Sequence, residues 1–323
     1  MSPAITDVPG LLVGHAHDTA ALTGCTVILT PAGAVGAVDV RGGAPGSRET
    51  DLLDPVATVS VVHAVALCGG SAFGLAAAGG VVEWLRERNI GYETRVRRVP
   101  IVPAAVIFDL ALGSADRWAD AALGYAACVA ADRHVAEGSV GVGTGASVGK
   151  LLGMQHAMKA GVGTWSEPLA DGTVIGALAV CNALGDIRAA ADGRILAGVR
   201  ATEGGFADTM HLLRRPDVQQ RMAGMLGGEN TTLAVVATSA HLTKAEATKM
   251  AQMAQDALPR TIRPAHTPFD GDMVFALATG RQRSQHVAVL GAIAAEVLAC
   301  AIERCATQAT SAGGIPAADD AGG

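Results

Sequence analysis

The chain has 323 residues, half of them hydrophobic and 17% charged, which excludes a disordered or fibrous protein and leaves room for one large domain or two small ones. The net charge is −6, and the densest basic stretch is Arg95-Val96-Arg97-Arg98. Phosphate backbones demand a basic surface, so nucleic acid is excluded as the main partner.

Aromatic residues make up 3% of the chain while glycine reaches 41 residues. A core must therefore be built from Ala, Val, Leu and Ile, with close backbone approach at glycines. The six cysteines (Cys25, Cys68, Cys128, Cys181, Cys300 and Cys305) form no C-x-x-C pair and sit mostly in apolar segments, as expected of buried free thiols in a reducing cytosol. The opening "MSPAITDVPGLLVG" lacks a basic region followed by a long apolar run, and later apolar stretches are broken by Gly or charge. A cytoplasmic protein without a membrane partner is expected.

In chain order, "GCTVILT" (24–30) and "GAVGAVDVRGG" (33–43) read as two short strands. "TVSVVHAVALCGGSAFG" carries a buried strand into a Gly-rich turn, and "LAAAGGVVEWLRER" follows as a helix. Residues 114–131 read as a second helix, capped by Ser114 or Asp116. "VIGALAVCNALGDI" (174–187) is a strand that turns at Asn182. Residues 203–229 are polar and Gly-rich, the best candidate for a mobile connector. "TLAVVAT" is a strand rich in β-branched residues. Thr243 and Glu246 have capping-box spacing ahead of a helix that Pro259 should end. "DMVFALAT" is another strand and "SQHVAVLGAIAAEVLACAIERC" a long closing helix. Residues 307–323 read as a disordered tail. Buried strands alternate with Ala-rich helices throughout, without internal repeat or linker, so a single α/β domain over residues 1–306 is expected.

Several tempting motifs fail. "GVGTGASVGK" (141–150) has Thr144 where a phosphate loop needs Gly, and Leu151 where it needs Ser or Thr. No zinc signature surrounds His15 or His17, and "GGSAFG" lacks the right flank for a serine nucleophile elbow. No metal or organic cofactor is signalled.

One stretch carries chemistry. "GGENTTLAVVAT" (227–238) sets Asn230-Thr231-Thr232 where a buried strand begins. A polar turn before a strand is the common explanation. The other is that the chain is cut between Asn230 and Thr231. A hydroxyl is a poor nucleophile until a base takes its proton, and a free α-amine titrates near ~7.7–8.0. Cleavage would give Thr231 such an amine beside its own hydroxyl, uniting nucleophile and base on one residue.

Five stretches, "DVRGGAPGSRETDLLDP", "ALCGGSAFGLAAAGGVVEWL", "GVGTGASVGK", "GGENTTLAVVATSA" and "HTPFDGDMVFALATG", resemble one family in the same order from about Ile5 to Cys305. It is the family of β-aminopeptidases and L-aminopeptidase/D-amidases. The Asn-Thr-Thr junction with Asp-Gly-Asp downstream is most similar to its nylon-oligomer (6-aminohexanoate oligomer) hydrolase branch. The resemblance implies a four-layer α/β/β/α sandwich like that of N-terminal-nucleophile hydrolases, self-cleaved into 1–230 and 231–323. Thr231 then matches the nucleophile and Lys150 a lysine beside it. Asn182 matches an asparagine whose amide helps hold the oxyanion, and Asp270 and Asp272 a polar pair facing the nucleophile. Asp270 and Asp272 would share a strand face, from which they could orient the Thr231 amine and keep Lys150 charged.

Two positions depart from the pattern. Phe73, a candidate substrate contact, stands where several relatives carry Tyr, and it has no donor. "GLAAAGG" also lacks an acidic residue often found there. The expected partner is a small or oligomeric amide: amino-acid amides, short β- or D-peptides, or 6-aminohexanoate oligomers. A homotetramer or larger assembly of processed protomers is expected as well. Two alternatives remain open at this point: acyl transfer, as in ornithine acetyltransferases of similar fold, and an uncleaved binding or assembly protein.

Overall fold

The computed structural model describes residues 2–224, 228–282 and 286–320. Its main strands are β1 (Leu12–Asp18), β2 (Thr23–Val40), β3 (Val61–Cys68), β4 (Ala104–Val106), β5 (Val162–Pro168), β6 (Val174–Asn182), β7 (Thr231–Ala240) and β8 (Met273–Gln282). The helices that cover them are α1 (Ala77–Glu87), α2 (Ala121–Val129), α3 (Lys244–Ala254), α4 (Ala257–Thr261) and α5 (Val287–Thr307). The sheet runs in the order β5-β6-β7-β8-β2-β3-β4, with Ser47–Arg48 beyond β4 and β1 paired to β2. Pairing is antiparallel except for β7 with β8 and β3 with β4.

The two short strands expected over 24–43 are one strand of 18 residues. Its first half pairs with β3 from Cys25 to Leu29, and its second half pairs with β8 from Val35 to Val40. The register shifts between Leu29 and Ala34. Pro31 lacks an N–H, and Gly33 takes φ +81°, a conformation closed to most side chains. β2 therefore passes from one sheet layer into the other, and the two layers are one folded sheet.

The period-2 alternation of strands shows the layering. Ile28, Val65 and Leu67 meet Leu178, Val180, Leu233, Val235, Phe275 and Leu277 in the central core. On the outer face of one layer, Val27, Leu29, Ala64 and Ala66 pack on α1 and α2 through Ala77, Val81, Leu85 and Ala127. On the other, Ala177, Ala179, Ala234, Val236 and Ala276 pack on α3 and α5 through Met250, Ala251, Leu290, Ala294 and Leu298. The order is helix, sheet, sheet, helix, as expected. The high glycine content serves this packing where α1 crosses α2. A Cβ at Gly80 would lie 1.8 Å from the Ala121 carbonyl oxygen, and one at Gly124 would lie 2.0 Å from that of Ala77.

Four local expectations are corrected. The helix expected over 114–131 begins at Ala121, capped by the Asp120 side chain rather than by Ser114 or Asp116. The residues before it are held against the Gly69–Gly70 turn, where Ala119 N–H donates to Gly69 O. The capping box of Thr243 and Glu246 is present, but α3 ends at Ala254 and Pro259 lies inside α4, whose first turn needs no N–H from it. The connector region holds helices Thr209–Leu212 and Pro216–Ala223, pinned by buried Leu212 and Val218; Met225, Leu226 and Gly227 lie outside the described residues. Residues 308–320, expected as a disordered tail, pack back on the protein. Ile315 and Ala317 are buried and the Pro316 carbonyl accepts from Lys159 N–H; Ala321, Gly322 and Gly323 lie outside the described residues. Five cysteines are buried free thiols and Cys300 is exposed. Among the described residues no helix is long and apolar enough to cross a membrane.

Candidate active site

The last residue of β6 and the first of β7 face each other: Asn182 is the register partner of Thr231. One residue earlier, Asn230 forms a parallel bridge with Asp270 ahead of β8. This continuation of the β7–β8 ladder brings the Gly271 N–H to 2.8 Å from the Asn230 carbonyl oxygen. The Thr231 hydroxyl donates to that same oxygen at 2.5 Å. The carbonyl of the Asn230–Thr231 peptide bond thus has a hydroxyl and a backbone donor on it, and all three residues are sealed from solvent.

Asn182 is held by its own carbonyl. Its Oδ1 accepts from Ser147 N–H at 3.1 Å and Ser147 Oγ at 3.4 Å, which turns Nδ2 toward Phe108 O at 2.8 Å and Glu229 O at 3.4 Å. Its amide therefore touches the carbonyl one residue upstream of the Asn230 carbonyl. Lys150 Nζ donates to Asn182 O at 2.8 Å and to the same Glu229 O at 3.1 Å. Loss of hydration around that ammonium pulls its pKa down to about 7, against the pull of Asp270, Glu229 and Asp109. Desolvation lowers it and the neighbouring carboxylates raise it, so the two effects oppose each other at this ammonium.

Asp270 and Asp272 lie just ahead of β8, with Asp270 in the bridge to Asn230 that extends the ladder. Asp270 accepts from Thr267 N–H at 2.8 Å and Thr267 Oγ1 at 2.6 Å. Burial, followed by the charge of Asp272, pushes it up to about 6. Asp272 accepts from Thr232 N–H at 2.7 Å and, on its other oxygen, from His266 N–H at 2.9 Å and His266 Nδ1 at 3.1 Å. The glycine pair of "DVRGG" explains its place here. Arg41 N–H and Gly42 N–H both donate to Asp272 O, and a Cβ on Gly42 would lie 2.3 Å from Asp270 O.

Beside the junction lies a cavity of about 180 Å³, whose lining includes Phe108, Asp109, Ser147, Lys150, Glu229 and Asn230. Asp109 accepts from Gly70 N–H at 2.6 Å and Thr23 Oγ1 at 2.8 Å, yet burial still lifts it to about 6. Lys159, fully buried, donates to the carbonyls of Gly143, Ala146 and Ala160, which fixes the "GVGTGA" loop and with it Ser147. Burial lowers its pKa to about 7.

Thr231, Asn230, Asn182, Lys150, Asp270 and Asp272 are thus brought together. Phe73 is not: it is exposed, stacks on Trp118 with ring centroids 4.8 Å apart, and takes no part in the cavity lining. Sequence reasoning missed Asp109, Lys159, Ser147, His266 and the Gly271 N–H. A lone charge within an apolar run, as in "VIFDLAL" and "HAMKAGVG", was the available signal for the first two.

A hydroxyl and a backbone N–H thus meet on one buried carbonyl oxygen at the start of β7, within a four-layer α/β/β/α sandwich. Solved structures share that fold: a β-aminopeptidase from a Burkholderia species (TM-score 0.71, 23% identity, covering 98% of this chain and 91% of that one), and an L-aminopeptidase D-Ala-esterase/amidase from Ochrobactrum anthropi (TM-score 0.70, 20% identity, covering 98% and 89%). The chain belongs to peptidase family S58, whose profile matches residues 3–319. It is 45% identical over 344 aligned positions to an uncharacterized aminopeptidase of Mycobacterium tuberculosis, covering 97% of this chain and 96% of that protein. It is 34% identical to the 6-aminohexanoate-oligomer endohydrolase of a Kocuria species, covering 90% and 82%. The protein is a hydrolase of peptide or amide bonds.

Proposed function

We propose that the protein cuts its own chain once, after Asn230, and then hydrolyses small or linear amides with Thr231 as N-terminal nucleophile. The observation that carries this reading is the convergence of the Thr231 hydroxyl and the Gly271 N–H on the Asn230 carbonyl oxygen. Thr231 Oγ adds to that carbonyl carbon, and Gly271 N–H takes the oxyanion. The Asn230–Thr231 C–N bond breaks, with the hydroxyl proton passing to nitrogen, and an ester remains. Water hydrolyses the ester, leaving an Asn230 carboxylate and a free Thr231 amine beside a free hydroxyl.

In the mature enzyme that amine takes the Thr231 Oγ proton as the oxygen attacks a substrate amide, and returns it to the leaving amine. Withdrawal of Glu229 releases Asn182 Nδ2 and Lys150 Nζ, both now engaged on its carbonyl, to receive the substrate oxyanion. One such donor is worth about 2.7–4 kcal/mol. Water then cleaves the acyl-enzyme. Amino-acid amides, short β- or D-peptides and 6-aminohexanoate oligomers are the substrate class, in keeping with the names of the relatives. The same reading includes a cytoplasmic location and a homotetramer of processed protomers, the latter open to native mass measurement.

Denaturing electrophoresis tests the proposal. The 32.4 kDa chain should give fragments of about 23 and about 9 kDa, in proportion to length. The smaller should begin Thr-Thr-Leu-Ala, and Thr231→Ala should stay whole and inactive. A full-length chain that hydrolyses amides overturns the reading.

A further inference from the structure

Asp272 is the most heavily anchored carboxylate near Thr231, and His266 supplies two of its three donors. The residue carries two costs that packing alone does not repay. It is a non-glycine residue at φ +58°, in the left-handed region. Among the described residues its buried Nε2 has no hydrogen-bond partner, and a buried unpaired polar atom costs about 1–3 kcal/mol. Strain and an unpaired polar atom persist together where a geometry is being held for another purpose.

The tautomer follows from the contacts. Asp272 receives two backbone N–H groups, so its carboxylate acts here as a hydrogen-bond acceptor. The His266 Nδ1 at 3.1 Å from the same carboxylate must then carry the proton. With Oδ2 held by the His266 ring and backbone, Oδ1 is aimed at Thr232 N–H. That N–H belongs to the peptide that joins Thr231 to Thr232, so its orientation fixes where the Thr231 amine and hydroxyl point.

We propose that His266 is a positioning residue of the reaction: through Asp272 it sets the orientation of the Thr231–Thr232 peptide and hence the attack angle of the Thr231 hydroxyl. This rests on the reading of Thr231 as nucleophile. Misplacement of a reacting group by about 1 Å costs on the order of 100-fold in rate, so loss of the ring donor should be visible in kcat while leaving KM nearly untouched.

The left-handed backbone makes the test selective. Glycine fits φ +58° better than histidine, so His266→Gly removes the donor while relieving strain. Asparagine tolerates the same backbone and brings a side-chain N–H close to the Nδ1 position. The readouts are the rate of self-cleavage of the full chain, kcat and KM on L-alanine p-nitroanilide, and Tm. H266G should lower kcat and the cleavage rate by about tenfold or more, with KM within about twofold and Tm equal to or above wild type. H266N should recover the rate to within about threefold. Equal rates for H266G and H266N, or rates that simply follow Tm, overturn the proposal. Thr231→Ala run alongside separates it from the reading beneath it. An inactive T231A with a fully active H266G overturns the role of His266 alone, whereas an active T231A overturns both.

Discussion

Gly271 stands directly against Thr231: a Cβ at position 271 would lie 2.8 Å from the Thr231 Oγ1. No real Cβ tolerates that separation, so the hydroxyl would have to move. Gly271→Ala keeps the backbone N–H but displaces the nucleophile. Self-cleavage should slow by about 100-fold, the usual cost of misplacing a reacting group by an ångström. The fraction of full-length chain over time, followed by denaturing electrophoresis, checks this, and an unchanged time course would refute it.

Gly42 makes a second close contact, with a different consequence. Its Cβ would lie 2.3 Å from both Asp270 O and Asp272 N, which are backbone atoms and cannot swing aside. Gly42→Ala should therefore part the "DVRGG" segment from the acid pair. Overpacking of this kind costs about 1–3 kcal/mol. A fall in Tm together with slower hydrolysis is expected; a lower Tm with full activity would mean that the acid pair does not depend on Gly42.

The pH profile of hydrolysis should carry two features from the site. Asp270 titrates near about 6, because burial and Asp272 raise it. If its carboxylate orients the Thr231 amine, the rate falls as pH drops through 6, and Asp270→Asn should remove that limb. Lys150 titrates near about 7, so a role as cation is lost, and a role as neutral amine gained, as pH rises through 7. Comparing Lys150→Met with wild type across pH 5 to 9 gives the sign.

Asp109 links the cavity to stability. Its folded pKa is raised from 3.8 to about 6 by burial. Between those values the native state binds more protons than the unfolded chain, so stability falls as pH rises through this window. The favourable contribution is complete below 3.8 and gone above 6. At 1.36 kcal/mol per pKa unit the shift corresponds to on the order of 3 kcal/mol. Asp109→Asn should flatten this dependence and raise the denaturation midpoint relative to wild type at pH 8. Parallel curves for the two proteins from pH 4 to pH 8 would refute it.

The strands and helices that bury one face were legible in the chain. β7, β8 and α5 follow from their continuous apolar runs, and the Thr243–Glu246 capping box was visible as a spacing. The start of α2 was not, because contacts with the Gly69–Gly70 turn, far away in sequence, hold residues 114–119 out of the helix. Nor was the continuity of β2, whose two halves read as separate strands but serve two layers. The 308–320 segment has the composition of a disordered tail, yet Ile315 and Ala317 find a place against the body.

For the site, the order of residue types along the chain determined which side chains were candidates: a hydroxyl at a strand start, an amide at a strand end, a lysine after a Gly-rich turn and two carboxylates one residue apart. These are local facts and the sequence holds them. Which groups meet was decided by pairing registers. Asn182 faces Thr231 because β6 and β7 align there, and Gly271 N–H reaches the Asn230 carbonyl because the β7–β8 ladder extends one residue beyond its strands. Phe73, in the turn that follows β3, stacks on Trp118 and does not line the cavity. Titration behaviour, too, belonged to the fold alone: Lys150, Lys159, Asp109 and Asp270 are shifted by burial first, and burial is a property of the packed chain that no single stretch of sequence contains.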